Sequence, residues 1–361
     1  MTTLNPKDMP KIIKSGKWTN GHVQGIAVDK ANGHIYFSFT TVLVKATLDG
    51  EVVGYVEGLT GHLGCLAFNE EDGKVYGSIE YKHDSIGKGI LKSNPGAELA
   101  EEDAFYIAMF DVSKIDRCGM HAEKDGVMTT VYLPDVVEHY LYKGEAEHKY
   151  GCSGIDGVAI GPKFGEPDSA TKLYVAYGIY GDLERSDNDY QVILEFDWRM
   201  FSEIAKPLSQ LAPHKSGLRY DEKYFVYTGN TTYGIQNIEY DSYTGDYFFA
   251  VYVGKKPAFR NFPMFVIDGN AAPQREMLKG TYNEEGLVLT LKKSGAYDEA
   301  NDVWGLTFPK GQTGMASLGD GYFYFSHDRK EMIDERRHHS TEIKLYKYTD
   351  NGCESPFELC D

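Results

Sequence analysis

A few histidines, amides and carboxylates recur at one kind of place in this chain: just before or just after a short alternating apolar run. His22 and Gln24 open "GHVQGIAVDKANGHIYFSFT" (21–40), and His62 opens "GHLGCLAFNEEDGKVYGSIE" (61–80). Asp156 and Gln236 hold the matching places in "SGIDGVAIG" (153–161) and "YGIQNIEY" (233–240). Glu80, Tyr81 and His83, then Tyr177, Tyr252 and His327, stand where the following runs end. Neutral imidazoles with amide or carboxylate oxygens suit a divalent transition metal. His22, Gln24, His62, Gln236 and His327 are therefore the candidate ligands of one divalent ion (manganese, zinc or calcium), with no organic cofactor. Such an ion would bind a substrate carboxylate and acidify a neighbouring C–H, or activate water. His83, Glu80, Tyr252 and Asp156 are the candidate catalytic acids and bases. Glu80 with Asp156 is also the pair nominated for two-carboxylate glycoside hydrolysis.

Substrate contacts are expected from Tyr81 and Tyr177, whose rings carry a polar handle suited to sugars, and from Lys255, Arg260 and Arg329, cations on an acidic body. The same segments hold Lys82, Lys256, Lys330, Arg336 and Arg337, but also many carboxylates. "KEMIDERRHH" (330–339) reads equally well as a salt-bridged surface segment.

The elements that must position these residues are written in repeats. "GIAVDKANGHIYFSF" (25–39) matches "CLAFNEEDGKVYGSI" (65–79) position for position, and drifted copies begin at 157, 237 and 317. Each is an apolar run, a Gly/Asp/Asn turn and a second run, which predicts a β-hairpin. A third alternating run follows each hairpin, and weaker fourth runs such as "EVVGYVEG" (51–58) and "VMTTVYLP" (127–134) come after. Five copies of a four-stranded antiparallel unit predict an all-β chain folded as one β-propeller over 1–361. The blades are expected near 22–58, 62–134, 153–230, 233–293 and 303–348, with 10–18 closing the last as its outer strand. Six blades is the alternative, with "GLVLTLKK" (286–293) and "VWGLTF" (303–308) in a partial one. "AELAEEDAF" (97–105) is expected to hold a helical turn. The turns inside the hairpins are short, whereas the segments 81–103, 178–189, 253–261 and 327–340 are long. Strand direction puts those long loops on one face, together with the histidines and the mouth of the central channel.

The copies resemble the YncE-like and NHL-like class of propeller repeats; that likeness implies the fold and not a function. The mixture of histidines and glutamines is similar in kind to the site of the propeller oligogalacturonate lyases, which use them on a metal beside a histidine base and an arginine. Those proteins have more blades, no local motif aligns, and no residue is carried over from them.

Composition sets the outer limits. The net charge is −17, against a general nucleic-acid binder. No apolar run approaches the ~18 residues of a membrane span. The N-terminal segment lacks the apolar stretch of a secretory signal. The five cysteines are odd in number without C-x-x-C spacing, which suits reduced thiols and a cytoplasmic protein. The expectation is an enzyme acting on a small anionic carbohydrate at the channel mouth, by metal-assisted lyase or hydrolase chemistry. The alternatives are a non-catalytic ligand- or protein-binding propeller, and a metal-dependent phosphoester or lactone hydrolase.

Overall fold

The computed structural model describes residues 5–361 apart from 95, 282 and 350. Five antiparallel blades surround an axis. Their inner strands are Val23–Asp29, His62–Asn69, Cys152–Gly161, Thr231–Asp241 and Met315–Gly319, and each packs beside the next, the fifth returning to the first. Blades 1 to 3 add three outer strands each: His34–Phe39, Val42–Thr47 and Val52–Glu57; Lys74–Tyr81, Ala104–Phe110 and Met128–Tyr132; Lys172–Ile179, Tyr190–Phe196 and Glu222–Tyr227. Blade 4 continues through Asp246–Val253 and Met264–Ile267. Blade 5 continues through Tyr322–Ile333 and Arg336–Tyr348, and the N-terminal strand Ile12–Lys14 closes it, with Ile13 opposite Ile343 and Trp18 bridged to His339. The expected outer strand at 10–18 is therefore present.

The repeated phrase makes the repeated turn. In blade 1 the Asp29 carboxylate accepts from the Asn32 backbone and side-chain nitrogens (3.0 and 2.7 Å), and Gly33 takes the left-handed conformation that ends the turn, at φ 69°. Asn69 with Gly73 and Asp241 with Gly245 repeat the device. The apolar faces of neighbouring blades then meet in five clusters, one per blade–blade junction, so the core is a ring of wedges around the channel.

Three expectations are corrected. The alternative of a sixth blade is not met among the described residues: Glu285–Val288 adds to blade 3, parallel to Glu222–Tyr227, and Val303–Gly305 pairs with Ala296–Asp298. The helix in the 81–103 connection is Ser85–Ser93, not 97–105. Asp84 caps it by accepting from the Ile86 and Gly87 backbone N–H groups (both 2.9 Å). A second helix, Pro134–Tyr140, lies in the next long connection. The segment 327–340 is not a loop. Its pairing runs unbroken from His327↔Glu342 to Ile333↔Arg336, around a two-residue turn in which Asp334 and Glu335 both have positive φ (46° and 62°). That makes a two-stranded ribbon which outruns the rest of blade 5.

At the tight-turn end of the channel, Glu239 accepts from the Ser317 backbone N–H (3.1 Å), and Ser317 Oγ donates to Asp241 (2.7 Å). Burial, then the Asp241 charge, pushes the Glu239 carboxyl up to about 8. A pKa raised on folding gives stability that is complete below the unfolded value and is lost as pH rises through the folded one. Glu239→Gln keeps the acceptor without the titration. It is expected to unfold at higher urea than the parent at pH 6.5, by about 2 kcal/mol, with no difference at pH 4. Equal pH dependence in the two proteins refutes the assignment.

Candidate functional site

The side chains at the channel mouth are aimed there by a recurrent irregularity. Four inner strands lose register with their neighbours at the same level: between Val23 and Gly25, Leu63 and Leu66, Ile155 and Val158, and Ile235 and Asn237. A β-bulge turns the extra residue out of the pleat. Gln24, Asp156 and Gln236 are such extra residues. Glycines follow the bulge where inner strands crowd together: a Cβ on Gly25 would stand 2.7 Å from the Leu66 nitrogen. The shared letters of the repeat thus encode both the hairpin and the bulge above it.

Asp156 is the centre of the arrangement. Gln236 Nε2 donates to its Oδ2 (3.2 Å), and its Oδ1 lies 3.7 Å from His62 Nδ1. His62 Nδ1 is also 3.3 Å from Glu80 Oε1. Both approaches are off hydrogen-bond geometry, so charge rather than a bond couples the ring to the carboxylates. Burial raises the Asp156 carboxyl to about 6; His62 and Lys82 pull it back, while Glu80 pushes it further up. Burial alone would lower His62, but the Glu80 and Asp156 carboxylates outweigh it and hold the imidazole above its usual range. The ring and the two carboxyl groups therefore titrate as one interacting set.

Around this centre stand His22, Tyr233, Tyr252, Asp328 and His339. The rings of His22 and His339 lie 6.3 Å apart, those of Tyr233 and Tyr252 6.2 Å apart and edge-on. Tyr233 holds φ at 68° and is 44% exposed, an unfavourable conformation for a bulky residue. Burial, then His62 and His339, push His22 down to about 4, so its ring is neutral. Asp328 is close enough for its charge to act on both His22 and Tyr252. Below, Asn237 closes the channel: its Nδ2 donates to the carbonyls of Gln24 (2.8 Å) and Gln312 (3.2 Å) and its Oδ1 faces Cys65 Sγ. The side chains that ring the axis above Asn237 are here called the funnel.

The structure sorts the sequence candidates. It brings together His22, Gln24, His62, Asp156, Gln236 and Tyr252, with Glu80 in the wall. His327 is turned away, its Nε2 3.0 Å from the Tyr346 hydroxyl; strand alternation gives the mouth to Asp328 instead. His83 is exposed and held by Asp103 (3.0 Å). Tyr81 and Tyr177 are core residues, bonded to Gln210 (3.1 Å) and His139 (2.7 Å), so neither ring faces a substrate. Arg260 and Arg329 pair with Glu354 and Glu342, and Lys255 is exposed beside Asn230. Among the described residues no group of three or more His, Cys, Asp or Glu side chains is set to hold a metal ion. His339 was missed because the ribbon that carries it reads as a charged loop; Asp328 stands beside His327 at the end of its run and was given no role there.

A separate cavity of about 180 Å³ lies off the axis, against Tyr150, Lys149, Asp187 and Glu284. Its polar walls are bonded to one another, Tyr150 to Glu284 and Arg185 to Asp187. All five cysteines are free, and no helix among the described residues is long and apolar enough to cross a membrane.

No protein-family model matches the chain, and no curated protein does. Among solved structures it is similar to a GH43 β-1,3-galactosidase with galactodeoxynojirimycin, at 12% identity and a TM-score of 0.40, covering 94% of this chain and 93% of that one. It is also similar to the Dos1 propeller (8%, TM-score 0.28, 88% and 78% covered) and to a protein of unknown function from Bacteroides caccae (10%, TM-score 0.27, 69% and 78% covered). Likeness at this level concerns the fold, and no residue role passes from it.

Proposed function

We propose that the funnel cleaves a glycosidic bond by hydrolysis. The observation that carries this reading is Asp156, a carboxyl that burial raises to about 6, at the axis beside His62, Gln236 and Tyr252. In that role Asp156 gives its proton to the leaving oxygen as the glycosidic C–O bond breaks. Water adds at the sugar carbon and loses a proton to the second carboxylate, Asp328. Glu80 does not fill the second role, because Lys82 and the Ile155 backbone N–H occupy its oxygens. Lyase chemistry is less well supported: of the nominated bases, His83 lies outside the funnel, and burial pushes the Tyr252 hydroxyl well above its ordinary range. A second reading, a divalent ion between His22 and His62, is favoured by these imidazoles of adjacent blades being near enough for the charge of one to act on the other.

The test is to incubate the purified protein with acidic and neutral oligosaccharides and follow two products. New reducing ends without ultraviolet absorbance are expected. An absorbing unsaturated product would replace hydrolysis with elimination. Metal content and the effect of a chelator, measured on the same preparation and on the His22→Ala and His62→Ala variants, decide the second reading.

A further inference from the structure

The ribbon of blade 5 has two faces, set by its pairing. Asp328↔Thr341, Lys330↔His339 and Met332↔Arg337 share one; Arg329↔Ser340, Glu331↔His338 and Ile333↔Arg336 share the other. His339 stands against His22 at the mouth, so the first face is the one turned toward the funnel. The second face is neutralised: Arg329 pairs with Glu342 (2.8 Å) and Glu331 with Lys17 (2.8 Å). On the funnel face, Lys330 and Arg337 are exposed and make no ion pair among the described residues. They stand one and two rungs beyond Asp328, roughly 7 and 14 Å up the ribbon. Of the other nominated cations, Lys255 is exposed on the blade 4 connection beside Asn230, away from the ribbon's pairing. Lys82 and Lys256 are buried in pairs with Glu80 and Asp189, and Arg260 is paired with Glu354.

We propose that Lys330 and Arg337 read a carboxylate on the substrate, which makes the funnel selective for acidic over neutral oligosaccharides. The inference rests on the carbohydrate reading of the funnel and adds the substrate class to it. A sugar unit bound above Asp156 would lie alongside the ribbon and place its acid group against these two cations. Arg337 can take a carboxylate in two parallel bonds and Lys330 adds a second charge. On a body of net charge −17, such a pair also favours the approach of an acidic ligand to the mouth.

The experiment compares binding of oligogalacturonides with their methyl-esterified forms of equal length, by calorimetry at low salt. The parent protein is expected to prefer the acid by about tenfold. Lys330→Gln/Arg337→Gln is expected to bind both forms equally, with ester affinity unchanged. Arg336→Gln, a cation lost from the opposite face, is expected to keep the preference. The substituted residues are exposed, and thermal melting checks that the variants fold. If the parent binds ester as tightly as acid, the funnel takes sugars but the ribbon does not read charge, and this proposal alone falls. It also falls if the preference survives in the double variant or is lost equally in Arg336→Gln. If neither compound binds, the carbohydrate reading falls and this proposal with it.

Discussion

Replacing Asp156 by Asn is expected to lower kcat by about 10²–10⁴-fold on a glycoside substrate while leaving ligand affinity within a few fold. The amide keeps the bond to Gln236 and the shape of the bulge, and removes the transferable proton. The pH profile separates this role from a structural one. The acid must be protonated to act, so the parent's rate is lost as pH rises through about 6. The residual rate of Asp156→Asn should be flat over the same range. The raised pKa also has a stability consequence of known sign. The protonated carboxyl contributes fully below its unfolded value of 3.8 and that contribution disappears as pH rises through about 6. Asp156→Asn should therefore be at least as stable as the parent at pH 7, though slower. A variant that loses stability and activity together at all pH values would make Asp156 a structural residue.

The fold was legible because one device is repeated. Asp29 with Gly33 and Asp241 with Gly245 each spell a turn that only a few residue types can make, and the apolar runs beside them alternate. The closing strand was legible for a similar reason: Ile13 is a single buried residue in a short exposed strand, opposite a fifth blade that otherwise lacked an outer one. The ribbon was not legible. Neither of its faces enters the core, so nothing in "HDRKEMIDERRHHS" alternates in hydropathy, and its turn uses Asp334 and Glu335 where glycine or asparagine would have announced it. The added strand Glu285–Val288 was misplaced because its partner, Glu222–Tyr227, is about sixty residues away and parallel. Within the site, Gln24, Asp156 and Gln236 could be found by register with the histidines. Tyr81 and Tyr177 were drawn in by the same register, and alternation alone cannot say which of two faces is the core. His327 failed by one residue, the smallest error a strand allows, and Asp328 took its place.

The wall of the funnel yields the largest expected effect on stability. Lys82 is 3% exposed, and its Nζ meets Glu80 Oε1 (2.5 Å), the Ser153 carbonyl (2.7 Å) and Asp84 Oδ2 (3.7 Å). Glu80 is equally buried, and its Oε2 accepts from the Ile155 backbone N–H (3.1 Å). That reach is possible because residue 154 is glycine, at φ 125°, with the carboxylate standing where a Cβ would be. The pair thus pins blade 2 to blade 3 beside Asp156. Burial on its own would raise the Glu80 carboxyl; Lys82 first, and His62 after it, reverse this and leave it below the usual range. A depressed carboxyl contributes stability above its unfolded value and loses it as pH falls through the folded one. Lys82→Met removes the cation and keeps the length of the chain, leaving a buried carboxylate without its main partner. The expected cost at pH 7 is about 3–5 kcal/mol by urea denaturation. As pH falls the gap should narrow, because without Lys82 burial raises the Glu80 carboxyl, which then takes up a proton and needs no counter-charge. Glu80→Gln/Lys82→Met should recover much of the loss at pH 7, since an uncharged amide can still accept from Ile155. A double variant no more stable than Lys82→Met would place the cost in the lost Ser153 and Asp84 contacts. The wall would then be held by Lys82 alone, not by the pair.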